Sequence, residues 1–138
     1  MIRLVLDTNI VLSGLFWDGP PRKLLAPNPS EFVLYTSAPL IEELEDVLGR
    51  RKFASRIALS PAPLHQLVEK YVQSTTLVIP RHVPRIAADS PDDVVIGTAL
   101  AANADLIVTG DHGLLSVSQY HNIRIVSVAE ALQLTTSD

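Results

Sequence analysis

Residues 2–9 read Ile2-Arg3-Leu4-Val5-Leu6-Asp7-Thr8-Asn9. The run from Ile2 to Leu6 is apolar except at Arg3, which suits a strand buried on both faces at the centre of a parallel sheet. An acid directly at the end of such a strand emerges at the sheet's carboxyl edge, where open α/β sheets bind their ligands. Working outward, helical periodicity covers residues 10–17 and, after Gly19-Pro20-Pro21, residues 22–26. Pro27-Asn28-Pro29 breaks the chain there, because proline cannot continue a helix. Residues 31–36 read as a second strand, and a helix over 38–48 starts at the Ser37 cap signal.

The basic run Arg50-Arg51-Lys52 follows, and Ser60-Pro61-Ala62-Pro63 opens a helix over 64–74. A third strand is predicted at 76–79. Ser90-Pro91-Asp92-Asp93 begins a helix to about Asn103, with Ser as N-cap, Pro in the first position and acids in the first turn. Strands at 105–109 and 123–126 and a helix over 128–134 complete the chain. Strands alternating with helices imply right-handed crossovers. The expected fold is a three-layer α/β/α domain over residues 1–134, with a central parallel sheet of about four or five strands. Residues 135–138 are expected to form a frayed tail.

Composition narrows the chemistry. The 138 residues are 47% hydrophobic but only 5% aromatic, so the core must be built from Val, Ile, Leu and Ala. No run approaches the ~18 apolar residues of a membrane span, and no basic leader precedes the first strand. A soluble, cytoplasmic protein without membrane contact is expected. The absence of cysteine excludes disulfides, thiol nucleophiles and cysteine-rich zinc sites. The net charge of −4 argues against a simple basic nucleic-acid binder. Carboxylates converging on divalent cations would cancel that charge locally, so the overall balance does not describe the field at such a site.

Asp7 ends the first strand and Asp111 follows the fourth in Ile107-Val108-Thr109-Gly110-Asp111. A lone acid at a strand end is as readily a solvated turn residue, but two at one sheet edge point to a site. In the helix over 38–48, Leu40, Ile41, Leu44, Val47 and Leu48 form one apolar stripe at ~100° per residue. Glu42 and Asp46 point away from it, whereas Glu43 and Glu45 flank it, and periodicity does not choose between those two. Asp92 and Asp93 can both serve the helix dipole; that structural reading is the stronger for Asp92. Asp89 reads as a loop acid. His65, His82, His112 and His121 lack ligand spacing. Thr8, Asn9 and Thr109 could orient the acids through hydrogen bonds, or fill ordinary capping and turn roles. Oxygen-only donors suit Mg²⁺ or Mn²⁺, and the reaction class they suggest is phosphodiester hydrolysis. Crowded like charges should raise at least one carboxyl pKa.

These strings together resemble the PIN-domain family, in the branch of toxin–antitoxin toxins related to VapC-type ribonucleases. The resemblance spans nearly the whole chain: LVLDTN, GPPRKLL, IEELEDVL, GRRKF, SPDD with its Ala-rich helix, IVTGD and RIVSVAEAL. It implies metal ligation by Asp7, Glu43, Asp93 and Asp111, an RNA substrate, Mg²⁺ or Mn²⁺ as cofactor and a cognate antitoxin. A homodimer is expected, and Arg50, Arg51 and Lys52 are candidate substrate contacts. Where relatives often carry a further acid, two positions after Asp111, this chain has Gly113, which leaves one-metal operation open.

Two other functions fit parts of the pattern. Haloacid-dehalogenase-like phosphatases also place an Asp after the first strand, but they need a second Asp where this chain has Asn9. A non-catalytic nucleic-acid or partner-binding module would keep the fold without turnover, although unmetallated carboxylates repel phosphate.

Overall fold

The structure is a computed structural model and describes residues 1–17, 19–25, 31–50, 64–83 and 90–136. Pro27-Asn28-Pro29, Arg51-Lys52, Ser60-Pro61-Ala62-Pro63 and Asp89 lie outside those residues. In chain order the elements are β1 (Ile2–Leu6), α1 (Thr8–Phe16), α2 (Pro20–Leu25), β2 (Phe32–Thr36), α3 (Ala38–Leu48), α4 (Leu64–Gln73) and β3 (Thr75–Leu77). They continue with α5 (Ser90–Ala102), β4 (Leu106–Val108), α6 (His112–Leu115), β5 (Gln119–Tyr120), β6 (Ile123–Val126) and α7 (Val128–Thr136).

One sheet holds these strands in the order β3-β2-β1-β4-β6-β5. All neighbours are parallel except β5 and β6. The alternation along β1 explains the layers. Leu4 and Leu6 enter one apolar cluster with Leu34, Leu106 and Val108, beneath residues of α1, α3 and α4. Val5 points the other way, into a cluster with Ile107 and Ile125 beneath Val95, Ile96 and Ala99 of α5. Successive strand residues therefore serve opposite faces, and both faces are covered by helices. The expected three layers are present.

Two details differ from the sequence reading. The sheet has six strands rather than four or five, because β5 adds a two-residue antiparallel edge too short to show periodicity. Its hairpin turns at His121, in left-handed backbone at φ 54°. The last helix runs through Thr136, past Leu134; helix ends often shift by one or two residues.

The connectivity fixes where a ligand can sit. From β1 the chain steps to β2 and β3 on one side, then crosses to β4 on the other. The strand order thus reverses between β1 and β4, and open α/β sheets bind their ligands beyond the carboxyl ends at such a switch point. Asp7 and Thr109 follow those two strands directly.

Candidate active site

The ladder continues one residue beyond β1 and β4. The Asp7 N–H donates to the Val108 carbonyl at 3.0 Å, and the Thr109 N–H to that of Val126 at 3.0 Å. Both backbones are therefore held by the sheet. Asp7 is buried, and each of its oxygens accepts a bond: Oδ1 from the Thr8 N–H at 2.8 Å, Oδ2 from the Thr109 hydroxyl at 2.7 Å. Thr109 Oγ1 in turn accepts the Asp111 N–H at 3.0 Å. One hydroxyl thus couples the acid of β1 to the acid after β4.

Asp111 Oδ2 accepts the Leu114 N–H at 2.9 Å and caps α6. The cap uses Oδ2 and is compatible with a ligand at the other carboxylate oxygen.

Glu43 reaches the same edge from α3. It is half-buried, whereas Glu42, Glu45 and Asp46 are exposed. Its carboxyl is influenced by Thr8 and by the charge of Asp7, so of the two glutamates that flank the stripe Glu43 is the one that stands near Asp7. The start of α3 is fixed by a buried pair, Ser37 Oγ and Thr98 Oγ1 at 2.8 Å. Thr98 already donates to the Val94 carbonyl at 2.8 Å, so Ser37 is the donor between them. Ser37 occupies the N-cap position without a side-chain cap bond, because its hydroxyl is turned to α5.

Electrostatics mark the same residues. Burial is the main cause that pushes the Asp7 carboxyl above its ordinary value; the Thr109 and Thr8 bonds pull it down, and the charge of Asp111 raises it further. Glu43 is also raised, first by burial and then by Asp7, against the Thr8 bond and Arg50. A raised carboxyl pKa was expected from crowded charges; desolvation is the larger cause here.

The first turn of α5 carries two acids, Asp92 and Asp93, both half-buried. A Cβ built on Gly113 would stand 3.0 Å from Asp111 Oδ2 and 3.9 Å from Asp92 Oδ2, so both carboxylates lie near that glycine. Residues 95–99 are all buried, so Asp92 and Asp93 alike precede buried residues at the i+3 and i+4 spacings, and burial along α5 does not choose between them.

Asn9 is exposed, and among the described residues no hydrogen bond joins it to an acid. Arg50 is exposed and pairs with Asp46 at 3.7 Å, two helical turns (~10 Å) beyond Glu43. The four histidines are exposed, as their lack of ligand spacing led one to expect. Among the described residues no three acids or histidines already stand grouped as a metal site. No helix of the described residues is long and apolar enough to cross a membrane.

Comparison with known proteins bears on this arrangement. No curated protein matches the chain. The fold is similar to a chain in the crystal structure of VapBC2 from Rickettsia felis bound to a DNA fragment from their promoter. The TM-score is 0.60 at 14% identity, over 91% of this chain and 98% of that one. The family model for the PIN domain matches residues 3–113, from the first strand through the Gly113 turn, and the chain belongs to the PIN domain family.

Proposed function

We infer that this protein is a metal-dependent endoribonuclease that hydrolyses RNA phosphodiesters, and that it is the toxin of a toxin–antitoxin pair acting in the cytoplasm. The observation that carries the reading is the coupling of buried Asp7 to Asp111 through Thr109 at the switch point between β1 and β4. The antitoxin partner follows from the toxin–antitoxin branch that the sequence resembles, and the likeness to a chain of VapBC2 supports the fold. A homodimer belongs to the same proposal.

The donor set fits Mg²⁺ or Mn²⁺. All candidate donors are carboxylate oxygens, and the Asp7 and Glu43 carboxyls are raised, so a bound cation would favour their ionised forms. Asp7, Glu43, Asp93 and Asp111 would hold the ion. When bound, the metal activates water at neutral pH and offsets charge on the phosphate. The protein's own part is orientation. The Thr8 N–H and the Thr109 hydroxyl fix both oxygens of Asp7, and the Leu114 N–H fixes one oxygen of Asp111.

A binding module without turnover is the second reading, favoured by the Leu114 N–H bond that gives Asp111 a structural role. Cleavage of mixed-sequence RNA with and without Mg²⁺ or Mn²⁺ decides between them. The wild type should cut only with metal, Asp7→Asn and Asp93→Asn should lose cutting by orders of magnitude, and Asp92→Asn should retain most of it. A wild type that binds RNA but never cuts it with either metal would leave the binding module standing.

A further inference from the structure

Residues 78–83 leave β3 at the carboxyl edge and cross α5. The Arg81 N–H donates to the Gly97 carbonyl at 3.0 Å. A Cβ on Gly97 would overlap the Arg81 carbonyl oxygen, so this crossing requires a residue without a side chain there. Val83 is buried in the cluster that holds Val95 and Ile96, and the Val78 N–H donates to the Thr36 carbonyl at 2.9 Å. The segment is thus tied down on both sides of Arg81. Its backbone faces the helix, while the Arg81 side chain is exposed.

Gly97 lies one helical turn, ~6 Å along the axis, from Asp93 and little more from Asp92. Arg81 therefore stands beside the acidic turn of α5, on the same sheet edge as Asp7. Among the described residues no carboxylate pairs with it. Other cations are placed or occupied differently. Arg124 is registered with Leu106, at the amino end of β4. Arg3 donates to the Ala102 carbonyl at the far end of α5, and Arg50 pairs with Asp46.

We propose that Arg81 is the phosphate contact of this site, binding one backbone phosphate of a single-stranded RNA beside the acids, with the Gly97 crossing fixing its place. This rests on the nuclease reading above. Carboxylates alone repel a polyanion, and a guanidinium offers a planar fork matched to phosphate oxygens. Its contribution is to substrate binding, so it should act on KM rather than on kcat.

The test is steady-state cleavage of a labelled single-stranded RNA of mixed sequence in Mg²⁺, across a series of KCl concentrations. Arg81→Gln should raise KM by about tenfold with kcat within about twofold, and flatten the slope of log kcat/KM against log salt by ~0.7, the loss of one phosphate contact. Arg81→Lys should restore the slope because it restores the charge. Arg124→Gln removes the same charge elsewhere and should match the wild type. If the wild type cuts RNA while Arg81→Gln keeps its KM and salt slope, the inference about Arg81 is overturned and the nuclease reading stands. A wild type that cuts no RNA overturns both.

Discussion

Thr109 donates its hydroxyl to Asp7 Oδ2 at 2.7 Å, across a sequence separation of 102 residues. Thr109 Oγ1 also accepts the Asp111 N–H at 3.0 Å, so this side chain sets the spacing of two acids from different strands. Replacing it with Val keeps the shape but removes both bonds. Thr109→Val should weaken Mn²⁺ binding 10–100-fold and cost about 1–3 kcal/mol of stability, since the Asp111 N–H loses its acceptor. Titration calorimetry with Mn²⁺ and chemical denaturation check the two effects separately. Unchanged Mn²⁺ affinity would show that Thr109 does not position the ligands.

Asp7→Asn should preserve or raise the melting temperature without metal, because it removes a charge whose burial is unfavourable. The amide can still accept from the Thr8 N–H and donate to Thr109 Oγ1. A structural acid would instead lose stability on neutralisation. Thermal melts of both proteins in a chelator check this; a large drop in Asp7→Asn contradicts the ligand role.

Divalent metal should stabilise the wild type by mass action, ~2.7 kcal/mol at a hundredfold excess over Kd. Asp7→Asn should respond much less. Melts with and without millimolar Mg²⁺ or Mn²⁺ provide the measurement, and a wild-type melting temperature indifferent to both ions argues that neither binds.

The pH dependence has a fixed sign. The Asp7 and Glu43 carboxyls lie above their ordinary values of 3.8 and 4.5 in the folded protein. The folded state holds these protons more tightly than the unfolded one. Their stabilising contribution is full below the ordinary values and is lost as pH rises through the higher folded values. The stability advantage of metal-free Asp7→Asn over wild type should therefore grow as pH rises through that window, then level off. Denaturation of both proteins over a pH series tests it, and a difference that shrinks with rising pH contradicts the assignment.

The buried Ser37–Thr98 pair makes an asymmetric prediction. Thr98→Val leaves the Ser37 hydroxyl without its acceptor and should cost about 1–3 kcal/mol, whereas Ser37→Ala leaves Thr98 bonded to Val94 and should cost about 0.5–1.5 kcal/mol. Denaturant unfolding of the two variants reads the difference. Equal costs would mean that the bond's direction has been assigned wrongly.

The sequence by itself determined the layers and the sheet edge. Ile2 to Leu6 could be read as a doubly buried strand because its side chains, serving both faces, are almost all apolar, and Asp7 directly after it had to emerge at the carboxyl end. Those are local consequences of strand geometry. The order of the strands, the pairing of β1 with β4 and the meeting of Asp7 with Thr109 belong to tertiary structure, because no local spacing links residues 102 positions apart. The α3 and α5 acids show the same division. Helical periodicity put Glu43 and Glu45 on the two flanks of one stripe, and the packing of α3 leaves Glu45 exposed while Glu43 is half-buried near Asp7. Asp92 and Asp93 carry the same charge in the same turn, and burial along α5 does not separate them, because residues 95–99 are all buried and follow either acid alike.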